Sequence, residues 1–207
     1  MNGHSDAYKR FQDSKVATYE RWHDGIGYDL EALAAMTDEE RKSVEGDLIA
    51  DTSGWRDVEA LAALGTERAR VHIRKCLKSG PSEVRMAAAR ALENETTSES
   101  AREDAIVHAL DTAEPMNGLS DAIDAAAECD TPRVRDALFR MALSSVPERA
   151  VNAAALLFYL HGKAQSPFDW SKRPFFLRFG EGPEERRRAF AEMCKELGTD
   201  PAKYLTP

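Results

Sequence analysis

The stretch Pro81–Asn94, PSEVRMAAARALEN, limits what this chain can fold into more than any other. Val84, Ala88, Ala91 and Leu92 fall on one stripe, with Arg85, Arg90 and Glu93 elsewhere, so the spacing predicts an amphipathic helix whose buried side is mostly alanine. Contact residues this small let helix axes approach closely, which suits stacked helix pairs better than a loose bundle around large side chains. The pattern recurs at a fixed period. Ile73 and Leu77, Ile106 and Leu110, and Phe139 and Leu143 follow one another at 33 residues. Val84, Ala88 and Leu92 are echoed by Gly118, Ala122 and Ala126, then by Val151, Ala155 and Tyr159, at offsets of 34 and 33. Each unit therefore reads as a helix pair.

A chain of 207 residues can bury roughly 70% of its unfolded surface, enough for one core without disulfides or metals. The expectation is one domain, 1–207, made of an N-terminal helical cap (1–54), repeats (55–161) and a C-terminal aromatic and basic segment with a capping helix (162–207). The longest apolar run, Ala153–Leu160, falls well short of the ~20 residues needed to cross a bilayer. The start, MNGHSDAYKRFQDSK, has no apolar core of an export signal, so a cytoplasmic location is expected. Cys76, Cys129 and Cys194 lie far apart within helical patterns and read as buried thiols. With no CxxC, no HExxH and five scattered histidines, neither a metal nor another cofactor is expected.

Local signals place the elements. Residues 5–23 put Tyr8, Phe11, Tyr19 and Trp22 on one helical face, ended by Asp24-Gly25-Ile26-Gly27, as an aromatic cap. Thr37-Asp38-Glu39-Glu40 reads as a capping box, and Ser100 with Glu103 as a second. Gly65-Thr66 closes one helix and opens the next, making them antiparallel neighbours. Thr131-Pro132 starts another helix, and Ser145 with Pro147 repeats that device. Pro174 is expected to interrupt any helix through Pro167–Phe179, and Glu184–Leu197 reads as the last helix, with Phe190, Met193 and Leu197 inward.

EVRMAAARAL and its relatives, paired at about 33 residues, resemble HEAT repeats, particularly the short bacterial variety of phycobilin-lyase-like proteins, over roughly Trp55–His161. The resemblance implies an all-α, right-handed solenoid of antiparallel helix pairs, here with atypical aromatic caps at both ends. Enzymes of related fold supply two tests. Deoxyhypusine hydroxylase carries His-Glu pairs for two irons, and no His-Glu dipeptide occurs here. Alkylpurine DNA glycosylases pair a basic groove with aromatics and an acid, for which Asp169, Trp170, Arg173 and Arg178 are the candidates.

Charge argues against nucleic acid. Residues 93–130 hold eleven acids against Arg102 alone, in a chain of net charge −8, and phosphate binding draws most of its affinity from Lys and Arg. Glu103, Asp104, Asp111, Asp121, Asp124 and Glu128 form the expected acidic face, which would attract a basic partner. Residues 131–188 reverse the sign, with eleven Lys or Arg against six acids, and PFDWSKRPFFLRF packs five aromatics among them. Trp170, Arg173, Phe176 and Arg178 are the partner-contact candidates there, since Trp and Arg dominate interface hot spots. The expected function is non-catalytic protein binding, most of all an immunity-type inhibitor of a basic, toxin-like partner. An adaptor using residues 167–179, a glycosylase-like enzyme and a bilin-lyase-like chaperone are the alternatives, with neither nucleic acid nor membrane as a partner of the favoured reading.

Overall fold

The computed structural model describes residues 4–16, 18–20, 24–92 and 98–205. Among them the secondary structure is helical and no strand occurs. The chain divides into two compact units, Met1–Arg102 and Glu103–Pro207. The boundary falls in the first half of one helix, α7 in the chain order used below (Ser98–Thr112).

The first unit contains α1 (Asp6–Lys15), α2 (Leu30–Ala35), α3 (Asp38–Ala50), α4 (Trp55–Leu64), α5 (Glu67–Cys76) and α6 (Ser82–Ala91). Helix α3 packs on α4 and α5, α5 packs on α6, and α4 lies against α2, α3, α5 and α6. Phe11, Leu33, Val44, Leu48, Leu61, Ile73 and Val84 fill the core, and Ala60 and Ala88 are fully buried. The alanine helix buries a wider arc than its one stripe predicts. Met86, Ala87 and Ala89 are buried beside Val84, Ala88 and Leu92, while Ala91 is exposed.

The first helix is shorter than the expected 5–23. Val16 leaves helical geometry with ψ 117°, and the Ser14 hydroxyl donates to Phe11 O while accepting from Asp29 N, which ties the end of α1 to the residue capping α2. Tyr8 and Phe11 stay on α1; Tyr19 lies beyond it and is exposed, and Trp22 falls outside the described residues. Polar ties hold the helix starts. Glu40 closes its box with Thr37 and also accepts Ser5 N at 2.7 Å and Ser5 Oγ at 2.8 Å. Asp57, buried in the first turn of α4, accepts Ser53 N and Gly54 N, both at 3.0 Å, and the Tyr28 hydroxyl at 2.8 Å.

The second unit continues α7 and adds α8 (Leu119–Glu128), α9 (Pro132–Met141), α10 (Pro147–Leu160), α11 (Arg173–Leu177) and α12 (Pro183–Leu197), with 3₁₀ turns at Trp170–Lys172, Arg178–Gly180 and Pro201–Lys203. Helix α10 is buried from Ala153 through Phe158 and packs on α8, α9, α11 and α12. A helix apolar all round must be enclosed in this way. Ile106 and Leu110 on α7 and Phe139 on α9 are buried, but Leu77 and Leu143 of the same 33-residue series are only half-buried, and Tyr159 of the second series is 37% exposed.

Three local expectations are corrected. Helix α7 begins at Ser98, so Ser100 and Glu103 lie inside it and form no capping box; the Glu103 carboxylate engages Thr131 instead. The residue capping α10 is Val146, not Ser145. Pro174 sits in the first turn of α11, where a missing N–H costs nothing, so helical turns run unbroken from 170 to 180.

Burial, and next the Asp57 hydrogen bond, push the Tyr28 hydroxyl from 10 up to about 12. The neutral phenol is the form the fold favours. Its contribution to stability is therefore complete below pH 10 and lost as pH rises through about 12. Ultraviolet titration should show a late-ionising tyrosine that Tyr28→Phe removes; an unchanged curve in that variant would place the group elsewhere. Leu110→Ala should cost about 2–5 kcal/mol in urea unfolding, as expected for a fully buried leucine.

Candidate functional site

The basic segment grips much of the acidic one. Arg133 places Nη1 2.7 Å from Glu103 Oε2 and Nη2 2.7 Å from Asp104 Oδ1. Arg135 Nη2 donates to Asp130 at 2.6 Å, and this pairing holds the Asp130 carboxyl below its ordinary range. Arg140 lies 3.3 Å from Asp111, and Arg149 3.3 Å from Glu114. Of the predicted acidic face, Glu103, Asp104 and Asp111 are thus countered by arginines of the following helices. Asp121, Asp124 and Glu128 remain exposed at spacings of three and four on α8. Glu93 and Glu95 fall outside the described residues.

Arg149 is more than an ion-pair partner. Its side chain is 11% exposed, and Nη2 donates to Leu110 O at 2.8 Å and Asp111 O at 2.9 Å. Those carbonyls belong to the last turn of α7, where no backbone N–H follows to take them. An arginine from α10 therefore caps the C-terminus of α7.

The aromatic segment separates into two sides. Phe176 and Phe179 are fully buried, and Phe176 meets Phe158 and Phe168 edge-on at 5.5 and 5.6 Å. Arg178 is held by Glu185 at 2.6 Å and Glu192 at 2.7 Å and lies over the Phe175 ring. Phe176 and Arg178, two of the four predicted contact residues, are thus committed to the fold: helical periodicity turns Phe176 toward α10, and α12 claims Arg178. The other two are presented. Trp170 is 74% exposed, with the Arg173 guanidinium 5.5 Å from its ring centroid. Pro174 and Leu177 are exposed on the same helical face, at offsets of four and seven from Trp170. That spacing was present in the sequence, but the expected break at Pro174 hid it.

Asp169, the glycosylase-like candidate, spends Oδ1 on Ser171 N and Oγ and Oδ2 on Gln165 N, which stabilises a turn and holds its carboxyl below the usual range. His72 Nε2 lies 2.8 Å from Thr52 Oγ1, a pair that resembles a base and nucleophile. The Thr52 proton, however, is directed at Leu48 O at 2.6 Å, so the neutral imidazole must donate to Thr52 rather than activate it. Burial keeps His72 neutral by lowering its pKa. Burial likewise pushes the Cys194 thiol up to about 11, and that of Cys76 upward, leaving both protonated and unreactive. Among the described residues no three His, Cys, Asp or Glu side chains are grouped to hold a metal ion.

The two arginine roles separate energetically. Arg149→Ala, which strands two carbonyls, should cost about 1–3 kcal/mol in urea unfolding. Arg133→Ala, at a side chain 55% exposed, should cost at most about 1 kcal/mol. Equal costs would contradict the capping role. Comparison of the chain with known protein families, with curated proteins and with solved structures finds no match.

Proposed function

We propose that the chain is a non-catalytic protein-binding module, its helices stacked as a HEAT-like, right-handed series of antiparallel pairs, and that its contact surface is the ridge of Trp170, Arg173, Pro174 and Leu177. The exposure of Trp170 on a platform of buried phenylalanines carries this reading. Trp and Arg supply most hot-spot energy at protein interfaces, and a ridge fixed before binding loses little entropy in the complex. The repeat assignment is supported by a device that occurs twice. Thr66 caps α5, donates to Glu45, and is followed two residues on by Arg68, which pairs with the same glutamate. Thr131 caps α9, donates to Glu103, and is followed by Arg133, which does likewise. The two threonines lie 65 residues apart, about two of the 33-residue periods.

A second reading, the immunity-type inhibitor of a basic partner, rests on Asp121, Asp124 and Glu128, exposed at spacings of three and four on α8. The two surfaces separate in one experiment, in which immobilised wild type, Trp170→Ala/Leu177→Ser and Asp121→Lys/Asp124→Lys/Glu128→Lys are compared as baits in host extract with salt raised stepwise. The ridge reading expects a partner that survives high salt, is lost with the first variant and is kept by the second. Elution by salt, with loss only on charge reversal, would transfer the function to α8. Trp170 is exposed enough that its truncation should change stability by no more than about 0.5 kcal/mol, so lost capture would not be unfolding.

A further inference from the structure

A groove of about 660 Å³ lies in the first unit between α2, α3 and the turn joining α4 to α5, a volume within the ~300–1,000 Å³ typical of small-molecule sites. One wall is hydrocarbon: Leu30, Ala34, Ala63 and Leu64, with the buried Leu33 beneath. Leu30 remains 37% exposed.

The polar rim is nearly all committed elsewhere. Arg41 donates to Ala34 O at 3.1 Å, closing the C-terminus of α2, and also to Asp38. Glu45, 5% exposed, accepts from Thr66 Oγ1 and faces Arg68 at 3.6 Å. The Thr66 hydroxyl is spent on that bond and on Ala69 N. Asp38 thus offsets Arg41, and Glu45 offsets Arg68. Lys42 is the remaining charge on the lining, exposed and with no carboxylate in ion-pair range among the described residues. A protein of net charge −8 therefore has a groove whose lining carries one positive charge beside an apolar wall.

We propose that this groove binds an amphiphilic monoanion in free solution, its carboxylate on the Lys42 ammonium and its alkyl or aryl body along Leu30, Ala34, Ala63 and Leu64. The wall offers carbon and the rim offers one uncommitted cation, which matches a single anionic head with an apolar tail. An extended acidic peptide fits worse, because its backbone N–H and C=O groups would meet hydrocarbon and an already satisfied hydroxyl, and unpaired polar groups are costly to bury. A cationic amphiphile would find Glu45 and Asp38 already engaged. The inference is independent of the ridge formed by Trp170 and Leu177.

Isothermal titration with decanoate below its micelle concentration tests it, with decyltrimethylammonium as the charge-reversed control. The expected result is saturable 1:1 binding of decanoate that weakens about fivefold in Lys42→Gln, the upper end for an exposed ion pair, and returns in Lys42→Arg. Ala63→Trp, at an exposed position, should fill the groove and abolish binding while circular dichroism and the melting temperature stay unchanged. Should that variant fold poorly, Ala34→Trp provides the same test from α2. The proposal is overturned by absence of saturable binding, by equal binding of the cationic analogue, or by binding that survives both tryptophan substitutions. Uptake only by anionic phospholipid vesicles, or only of an acidic leucine-rich peptide, would overturn it as well.

Discussion

The structure depends on carboxylates that serve two elements at once. Alanine-rich helices such as α6 bury little apolar area for each contact, and burial stabilises by only about 25 cal/mol per Å². Helix starts, meanwhile, leave N–H groups without partners. Glu40 and Asp57 accept such N–H groups themselves, and Glu45 and Glu103 hold the threonines that do. Glu40 ties Ser5 to the start of α3, and Asp57 ties Tyr28 to the loop before α4. Glu45 and Glu103 each take the capping threonine of a later helix. Hydrogen bonds to ionised groups contribute about 1.5–3 kcal/mol each, so a few of them weigh as much as several buried methyl groups.

This use of acids changes the meaning of the charge count. A run of eleven acids between residues 93 and 130 reads as a strongly negative surface only if the acids face solvent alone. Arg133, Arg135, Arg140 and Arg149 instead bring opposite charge within ion-pair distance of Glu103, Asp104, Asp130, Asp111 and Glu114. Pairs so close act on a distant partner as weak dipoles, and salt screens what is left over a Debye length of ~8 Å. The acidic and basic segments, adjacent in sequence, thus serve in part as each other's counterions.

Signals held within one helical turn were legible. The Thr37–Glu40 box, the Gly65-Thr66 turn and the Thr131-Pro132 start depend on neighbours three or four residues away, and the structure places them where the spacing does. Of the positions recurring at 33 residues, Ile73, Ile106, Leu110 and Phe139 are buried, whereas Leu77 and Leu143 are half-buried and Tyr159 is 37% exposed. Long-range choices were not legible. Ser100 and Glu103 have ideal box spacing, yet Glu103 belongs to a threonine 28 residues on. Phe176 and Trp170 are both large aromatics in one short segment, and only the packing of α10 decides which is buried. The isolation of Lys42 depends on what Arg41 and Arg68 do, and neither of their partnerships is written in local spacing.

The two candidate protein-binding surfaces differ in the kinetic term they would govern. Phe158, Phe175, Phe176 and Phe179 fix the helical turns from 170 to 180, and the ring of Trp170 already stacks with Arg173. A partner meeting that ridge would order few side chains and would cover a large apolar ring, so the gain would lie in a slow dissociation rate. Asp121, Asp124 and Glu128 stand on an exposed helix edge in water, where charges steer encounter and are screened by salt, so their gain would lie in association rate. Pairing five of the eleven acids internally weakens the second term and leaves the first intact. On this balance Trp170, rather than the acids of α8, is the side chain whose burial would hold a complex together.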